Sequence, residues 1–396
     1  MMNAWIPEGQ LRWLSGCYFF FFAILGALIP YLGVFLEYRG FNAAEIGFLM
    51  AILMGTRIIA PNIWAMVADR TGRRTELIKV GSFTAAVGYL SFFYDGGFFY
   101  LALSLTFFTF FWNAILAQME VITLETLGDK SNRYGSIRSF GSVGYIVWVI
   151  VTGAAVNWCG PQAVLFVGMV LFAGLFVCCL PLSASNGIKE SNRSAVPLKL
   201  SKPIIWFLLS AMLLQASVGP FYGFFVLYLK QAGYSEAMAG FFVALGAFSE
   251  IFMFAVAPKL LRRFSVRILL MTGMGVTALR WLLVAFAPED MALLALSQVM
   301  HAFTFGLVHA ASIQFVHRHF AQQHRSKGQA LYASLSFGVG GALGNWISGH
   351  LWGDGSQTWL VWVFAAACAV LAMLVVLALP EERSSSSRQR PLTATE

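Results

Sequence analysis

Charged residues are scarce in this sequence. Asp, Glu, Lys and Arg make up 11% of its 396 residues, whereas about 25% is usual in a soluble protein. Hydrophobic residues reach 59% and aromatic residues 15%. Uncharged runs such as 13–36 and 203–228 exceed the roughly 20 residues that an α-helix needs to cross the hydrocarbon core of a bilayer. The composition therefore excludes a soluble globular protein and indicates an all-α integral membrane protein.

The sequence also lacks the patterns that usually carry catalysis or metal binding. It contains no HExxH, CxxC or GxSxG sequence and no GxxxxGK[ST] phosphate loop. Its five cysteines are odd in number and lie mostly within apolar runs, which is typical of small buried side chains rather than of a disulfide framework. These absences argue against an enzyme, and they predict neither a cofactor nor a metal site.

Apolar stretches follow one another along the chain between short polar connections. Each stretch is long enough to cross a bilayer as a helix, so we expect twelve transmembrane helices. The predicted spans cover residues 13–36, 45–67, 77–95, 97–124, 137–157, 161–182, 203–229, 236–257, 266–288, 290–315, 328–351 and 357–379.

Basic residues are distributed unequally over the connections between these spans. Most of the 26 lysines and arginines lie on one side, and only Arg39 and Lys230 lie in connections on the other. By the positive-inside rule, both termini are cytoplasmic, and we expect a multi-pass protein of the inner membrane. The net charge of +8 then reflects orientation and contact with anionic lipid headgroups, and it requires no nucleic-acid partner.

One stretch of the sequence, residues 40–74, returns without a gap 193 positions later. Gly40 and Gly47 align with Gly233 and Gly240. A repeat of this length predicts two related halves in parallel, an arrangement found in membrane transporters. We therefore expect an N-terminal six-helix bundle over 1–182, a cytoplasmic linker over 183–202, a C-terminal six-helix bundle over 203–380 and a disordered cytoplasmic tail over 381–396.

Five ionisable side chains lie inside or at the ends of the predicted spans. A charge at the centre of a bilayer costs about 3 kcal/mol on insertion scales. Arg57 is the lone charge of its apolar run, and Glu250 occupies the corresponding position of the second half. Glu120 and Arg138 lie close enough to pair across a short connection, and Arg280 is the fifth. Such residues must face a polar interior or each other, which favours a substrate or proton pathway.

Uncharged polar residues extend this pattern. His301 and His309 are eight residues apart in the tenth span, so they share one broad helical face and are candidates for proton transfer. Asn113 shares a helical face with the buried acid of the fourth span, and Asn345 belongs to a similar polar stripe in the eleventh. Both asparagines are candidate substrate contacts.

The connection between the second and third spans has the sequence ADRTGRR. Gly72 permits a tight turn, and Asp69 can cap a helix or pair with a neighbouring arginine. This run resembles the loop signature of the major facilitator superfamily. The resemblance implies a gating loop made of Asp69, Arg70, Gly72, Arg73 and Arg74.

The resemblance to this superfamily covers nearly the whole chain and is strongest for the lactose permease-related branch that includes the phenylpropionate permeases. The matching residues are Arg57, Ser249–Glu250, Arg280–Trp281, His301 and His309. The resemblance implies the major facilitator fold, a substrate site at Glu120 and Arg138, and proton coupling by Glu250 and His301. Where the sugar permeases carry a second acid one turn after that histidine, this chain has Thr304, which weakens the case for a sugar.

Charge balance favours an anionic substrate. Three buried arginines against two buried carboxylates leave one excess positive charge, which a bound anion would neutralise. The sequence thus predicts a monomeric secondary transporter that takes up a small organic acid, such as an aromatic carboxylate, together with protons. The expected substrate contacts are Arg57, Arg138, Arg280, Glu120, Asn113 and Asn345, and the expected proton-coupling residues are Glu250, His301 and His309.

Three alternatives stay open at this stage. A proton-coupled sugar or nucleoside symporter would use Glu120 and Arg138 to bind hydroxyl groups. A drug efflux protein would tolerate neutral aromatic compounds, and a membrane sensor would bind its ligand without carrying it. The phenylalanine runs at 19–22 and 107–111 predict lipid-facing or packing surface, with an aromatic substrate wall as the alternative.

Overall fold

The computed structural model describes residues 9–183 and 200–381. Residues 184–199 of the predicted linker and 382–396 of the predicted tail lie outside them. The described part contains helices and no strands, which confirms the all-α prediction. Its α-helices are α1 Gln10–Tyr38, α2 Ala43–Thr71, α3 Arg74–Leu90, α4 Gly97–Trp112, α5 Ile115–Leu127, α6 Tyr134–Cys159, α7 Ala163–Cys179, α8 Lys202–Gly223, α9 Phe225–Gln231, α10 Glu236–Arg263, α11 Val266–Phe286, α12 Met291–Val299, α13 Val308–His319, α14 Arg325–Ala333, α15 Gly341–Trp352 and α16 Trp359–Val376.

Eight helical stretches of the described residues are long and apolar enough to cross a membrane, judged by length and composition. One of them, Gly97–Cys159, is 63 residues long and comprises α4 to α6. The chain is therefore a multi-pass membrane protein. The count of twelve crossings stays a prediction, because several of the predicted spans consist of shorter helices joined end to end.

The predicted span 97–124 is broken at Asn113–Ala114, between α4 and α5. The amide of Ala114 donates to the carbonyl of Phe111 at 3.1 Å. A hydrogen bond to the third preceding residue thus replaces the usual α-helical bond to the fourth. The carbonyl of Phe110 loses its helical partner and accepts instead from the indole Nε1 of Trp64 at 2.9 Å. Because a free carbonyl inside a membrane is costly, this side chain from α2 stabilises the break.

Three further predicted spans are also interrupted. In 203–229 the helix changes at Phe224, where the φ angle is −123°. In 290–315 and 328–351 the interruptions are π-helical segments, Ala302–Leu307 and Ser334–Gly340. π-Helical turns occur mostly at functional sites, and all four interruptions lie in or beside residues that line the cavity described below.

The internal repeat is visible in backbone geometry. Gly40 and Gly233, 193 positions apart, have φ angles of 85° and 87°, a left-handed conformation that favours glycine. Two residues later in each half a side chain caps a long helix: Asn42 accepts from the amide of Glu45, and Ser235 accepts from the amide of Met238. A left-handed glycine followed by a capping side chain therefore precedes both α2 and α10, the helices that carry Arg57 and Glu250.

The two sequence-related halves meet along two helix pairs, α2 with α15 and α6 with α10. Gly47 and Gly349 bring the first pair together, since a methyl group on Gly47 would lie 2.8 Å from the Gly349 Cα. Gly240 allows the second pair to close around Tyr31, whose hydroxyl donates to the carbonyl of Val149 at 2.6 Å. These glycines lie near the end of the molecule opposite Gly72, so the halves are tightly packed at that end.

Candidate functional site

A cavity of about 490 Å³ lies between the halves, and side chains from both sides of the linker line it. Its polar members include Arg57, Asn113, Glu120, Arg138 and Glu250. Nine aromatic side chains form much of the remaining wall: Phe21, Phe22, Trp112, Tyr145, Phe221, Tyr222, Phe254, Phe305 and Phe337. A mostly apolar cleft with a few converging polar groups is the usual form of a small-molecule site.

Six of the nine residues proposed from the sequence for substrate or proton contact line this cavity, and three do not. The six are Arg57, Asn113, Glu120, Arg138, Glu250 and His301. The other three are Arg280, Asn345 and His309. The structure thus brings together residues from α2, α5, α6 and α10 that are far apart in the chain.

Arg57 projects from α2 into the cavity. It is half-buried, and within the described residues it forms no ion pair and no hydrogen bond. Its charge interacts with the hydroxyl of Tyr222 of α8, which lines the same cavity. A guanidinium group carries five N–H donors and cannot lose its charge in a protein. Arg57 therefore presents an uncompensated cation to the cavity.

Glu250 is the first of four side chains that contact one another in succession. Its Oε2 lies 3.6 Å from Nε2 of His301, and Nδ1 of His301 lies 2.9 Å from a terminal nitrogen of Arg280. The other terminal nitrogen of Arg280 donates to Oε1 of Gln298 at 3.2 Å. Because a guanidinium can only donate, Nδ1 of His301 must accept. The proton of His301 therefore sits on Nε2 and faces the carboxylate.

Arg280 lies behind His301 rather than in the cavity wall. It is fully buried, and its guanidinium carbon lies 4.1 Å from the ring centre of Trp281 and 4.7 Å from that of Phe221. The aromatic faces and the two hydrogen bonds hold this charge away from the lipid. The expected position of Arg280 among the substrate contacts therefore differs from the position the structure gives it.

The expected pair of Glu120 and Arg138 is not formed in this structure. Both residues line the cavity, yet no ion pair within 4 Å joins them among the residues described. Glu120 accepts from the hydroxyl of Tyr134 at 3.4 Å, and the guanidinium of Arg138 lies 3.8 Å from the ring centre of Phe22. The aromatic face competes for the arginine, so the carboxylate stays available to other donors.

Asn345 and His309 take part in helix packing. Asn345 is fully buried on α15, donates to the carbonyl of Gly341 at 2.9 Å and lies against Gly223 of α8. His309 stacks on Phe305 with ring centres 5.5 Å apart, and its Nδ1 lies 3.5 Å from the hydroxyl of Tyr332. Each side chain thus contacts other helices instead of the cavity space.

The loop expected to act as a gate joins α2 to α3. Gly72, with a φ of 68°, ends α2 in the left-handed conformation. Asp69 pairs with Arg74 at 2.8 Å, and Arg74 also donates to Oε1 of Gln118 on α5 at 2.8 Å. Arg70 and Arg73 are exposed at the same end. These contacts tie α2, α3 and α5 together within the first half.

Most of the aromatic residues of the cavity wall were missed at the sequence level, Trp112 and Tyr222 among them. The chain contains 12 tryptophans and 12 tyrosines, and nothing in their spacing distinguishes these two. The Phe19–Phe22 run gave a partial signal, because Phe21 and Phe22 line the cavity; that they form a substrate wall stays a prediction. No cluster of three or more metal-ligating side chains occurs among residues 9–183 and 200–381.

Comparison with known proteins places these features in a family. The model of the MFS_1 like family matches residues 11–380. A protein of Escherichia coli (strain K12) named probable 3-phenylpropionic acid transporter is 25% identical over 86% of this chain and 91% of its own length. The maltose permease of Geobacillus stearothermophilus is 25% identical over 94% and 95%.

Solved structures agree in fold. The crystal structure of the nucleoside transporter NupG superposes with a TM-score of 0.83 at 20% identity and covers 94% of this chain and 99% of its own. A bacterial homologue of the iron transporter ferroportin, in its inward-facing state, gives a TM-score of 0.75 at 17% identity over 93% and 98%. Likeness at these identities establishes the architecture, and the family match extends over nearly the whole sequence. The chain belongs to the MFS_1 like family and is a membrane transporter of the major facilitator type.

Proposed function

We propose that this transporter takes up a small organic acid, such as an aromatic carboxylate, together with protons. The observation that carries the proposal is the uncompensated Arg57 in a cavity lined by nine aromatic side chains. A guanidinium matches a carboxylate with two parallel hydrogen bonds. Aromatic walls favour an aryl group through burial and ring contacts. A monovalent aryl acid offers a carboxylate to Arg57 and an aryl ring to the aromatic walls.

Proton coupling follows from the charges that line the cavity. Arg57 and Arg138 contribute two positive charges, and Glu120 and Glu250 contribute two negative charges. Protonation of Glu250 leaves one excess positive charge, which a carboxylate substrate neutralises. Proton and anion therefore favour each other's binding, and the doubly loaded cavity is electrically balanced. Such mutual dependence is what a symporter requires.

Within this scheme Glu250 exchanges the proton, and His301, whose Nε2 lies 3.6 Å from Oε2 of the acid, is its polar neighbour. The contact between Arg280 and Nδ1 of His301 opposes a second proton on the imidazole. The Nε2–H of His301 thus faces Glu250 at 3.6 Å, and the acid is the group that changes charge. Arg280 and Gln298 orient the histidine, while Arg57, with Tyr222 beside it, holds the substrate.

The movement that carries substrate across the membrane is a rocking of the two halves around the cavity. We place the bundles at 1–182 and 203–380, the connecting segment and both termini in the cytoplasm, and the protein as a monomer in the inner membrane. The Asp69–Arg74 loop then lies on the cytoplasmic face. The tightly packed end with Gly47 and Gly349 faces outward, and the structure corresponds to a state closed on that side.

Uptake of labelled 3-phenylpropionate by cells that express the protein tests this proposal. We expect uptake to exceed that of cells carrying an empty vector and to fall to their level when a protonophore is added. Proteoliposomes with an imposed pH gradient, acidic outside, should accumulate the label without any other energy source. Uptake that ignores both the protonophore and the gradient would exclude proton coupling.

A neutral sugar or nucleoside is the second candidate substrate. It is favoured by the names of a relative and of a structural neighbour, a maltose permease and a nucleoside transporter. A competition panel with aryl acids, maltose and nucleosides separates the two possibilities, since a site built around Arg57 binds anions best. Drug efflux, the third candidate, predicts resistance to neutral aromatic compounds in expressing cells.

A further inference from the structure

The guanidinium of Arg138 lies in a niche made by two other residues of the first half. Its central carbon is 3.8 Å from the ring centre of Phe22 on α1, a distance at which a cation is attracted to an aromatic face. Gly141, three residues further along α6, makes room for this contact. A methyl group on Gly141 would lie 2.7 Å from Cδ2 of Phe22 and 2.9 Å from Nη1 of Arg138. The absence of a side chain at position 141 therefore allows the Phe22–Gly141 niche to hold the arginine.

The niche lies on the side of Arg138 that is away from Glu120. Glu120 accepts a hydrogen bond from Tyr134 at 3.4 Å, so it lies beside the turn of α6 that precedes Arg138. Gly141 belongs to the turn that follows it. Glu120 and Arg138 both line the cavity, and the charge of Arg138 acts on the carboxyl group of Glu120. An arginine released from the niche would therefore move toward this acid.

From the niche, the charge of Arg138 also acts on Glu250, the cavity acid of the other half. Helix α6, which carries Arg138, packs against α10, which carries Glu250. Arg138 forms no ion pair or hydrogen bond within the described residues, so its charge is not neutralised by a closer partner. The other charged or titratable groups that face Glu250 in the described part of the chain are His301 with Arg280 behind it, Tyr145 of α6 and Tyr222 of α8.

We propose that Phe22 and Gly141 are positioning residues, which hold Arg138 away from Glu120 so that its charge faces Glu250 and influences the pH range in which that acid exchanges its proton. A cation near a carboxyl group favours the ionised form. Displacement of Arg138 toward Glu120 would therefore let Glu250 keep its proton at higher pH. This inference rests on the part of the proposed function that makes Glu250 the proton site, and it does not depend on the identity of the substrate.

The test is an infrared titration of the purified full-length protein. A protonated carboxyl group has a carbonyl stretch distinct from that of a carboxylate, and comparison with Glu250→Gln identifies the signal of this acid. We expect Gly141→Ala to raise the pH at which Glu250 is half protonated by about half a unit, because the added methyl group displaces the guanidinium from the ring. Phe22→Leu, which removes the aromatic face, should move the midpoint in the same direction.

Gly135→Ala is the matched control. Gly135 lies on the same helix, and a methyl group there would meet no atom within 4 Å, so the midpoint should not move. Arg138→Gln should raise the midpoint at least as much as Gly141→Ala, and Gly141→Ala should add no further shift in that background. A general disturbance of α6 would instead act with or without the arginine. If Gly141→Ala cannot be purified, Phe22→Leu decides in the same two backgrounds.

The outcomes separate this inference from the proposed function. If Glu250 titrates but the niche variants leave its midpoint unchanged, or move it equally in the presence and absence of Arg138, the positioning role is refuted and the proposed function stands. If Glu250 shows no titration between about pH 5 and 9 while uptake of the aryl acid still follows the pH gradient, another group carries the proton. The proposed role of Glu250 then fails and takes this inference with it.

Discussion

Positions 57 and 250 occupy equivalent places in the two halves of this protein but have different surroundings. Both lie midway along a helix that begins with the same combination of a left-handed glycine and a capping side chain. Glu250 contacts His301, which is held in turn by Arg280. Arg57 has no ion pair or hydrogen bond within the described residues. The backbone geometry is repeated in the two halves, whereas the side chains at these positions and their contacts differ.

This difference indicates a division of labour between the two walls of the cavity. An acid that lies beside a histidine held in place by other side chains is suited to gain and lose a proton in a controlled way. A cation left without a partner is suited to bind an external anion, because about 3 kcal/mol of burial cost is offset only when the ligand arrives. The predictions below test the division, starting with the largest expected effect.

Removal of the charge at position 57 should have the largest effect. We expect Arg57→Gln to weaken binding of an aryl acid at least about a hundredfold, since two charge-assisted hydrogen bonds are lost. Arg57→Lys, which keeps the charge without the planar fork, should retain part of the affinity. Calorimetry on the purified variants measures both values. An Arg57→Gln protein that is folded and binds the acid normally would contradict the division.

Removal of the acid at position 250 should instead uncouple transport from protons. In proteoliposomes, wild-type protein with one proton per anion should accumulate substrate about tenfold for each unit of pH gradient. Glu250→Gln should bring the internal and external concentrations to equality, while exchange of labelled for unlabelled substrate continues. Accumulation by the variant that still follows the gradient would show that another group carries the proton.

Substitution of Arg280 tests whether this residue orients His301 or contacts the substrate. Since it lies behind His301 and outside the cavity wall, Arg280→Gln should lower the uptake rate about tenfold and change the affinity for substrate by less than about threefold. It should also alter the dependence of uptake on pH, because the imidazole is then free to accept a second proton. Arg280→Lys should restore much of the normal pH profile. A loss of affinity equal to that of Arg57→Gln would instead make Arg280 a substrate ligand.

The smallest effect is expected for an ion pair that joins equivalent positions of the two halves. Glu37 and Lys230, 193 positions apart, pair at 2.9 Å and are both exposed. Such pairs contribute roughly 0.2–1 kcal/mol. Glu37→Lys should therefore lower the thermal midpoint slightly, and the double exchange with Lys230→Glu should recover it. A double variant less stable than either single variant would show that the charges do not interact across the halves.

Much of the site was predictable because charged side chains are conspicuous in an apolar sequence. Arg57, Glu120, Arg138 and Glu250 line the cavity, as their cost inside a membrane suggested. The contribution of the aromatic residues was not predictable. Trp112 lines the cavity beside a helix break, and the carbonyl of Phe110 next to that break is bonded to Trp64, 46 residues from Phe110. A contact of this kind has no signature in either local segment.

The contacts that the charged side chains make were also not predictable from the local sequence. Glu120 and Arg138 lie close together in sequence, and an ion pair was the natural expectation. Phe22 from α1 takes the guanidinium instead, because α1 packs against α6. Arg280 was expected among the substrate contacts, but His301 lies between it and Glu250, and of the two only His301 lines the cavity. Helical periodicity alone does not resolve such differences.

The amino-acid sequence by itself determined the class of this protein: an all-α membrane chain with a repeated half and opposite charges at equivalent depths. These properties follow from composition and from the cost of moving charge into hydrocarbon, which act on each segment separately. Only the tertiary structure decided that Glu250 would lie beside His301 and that Arg57 would have no ion pair or hydrogen bond within the described residues. That outcome depends on side chains from several helices meeting at one place, and packing among them is settled only when all helices are assembled.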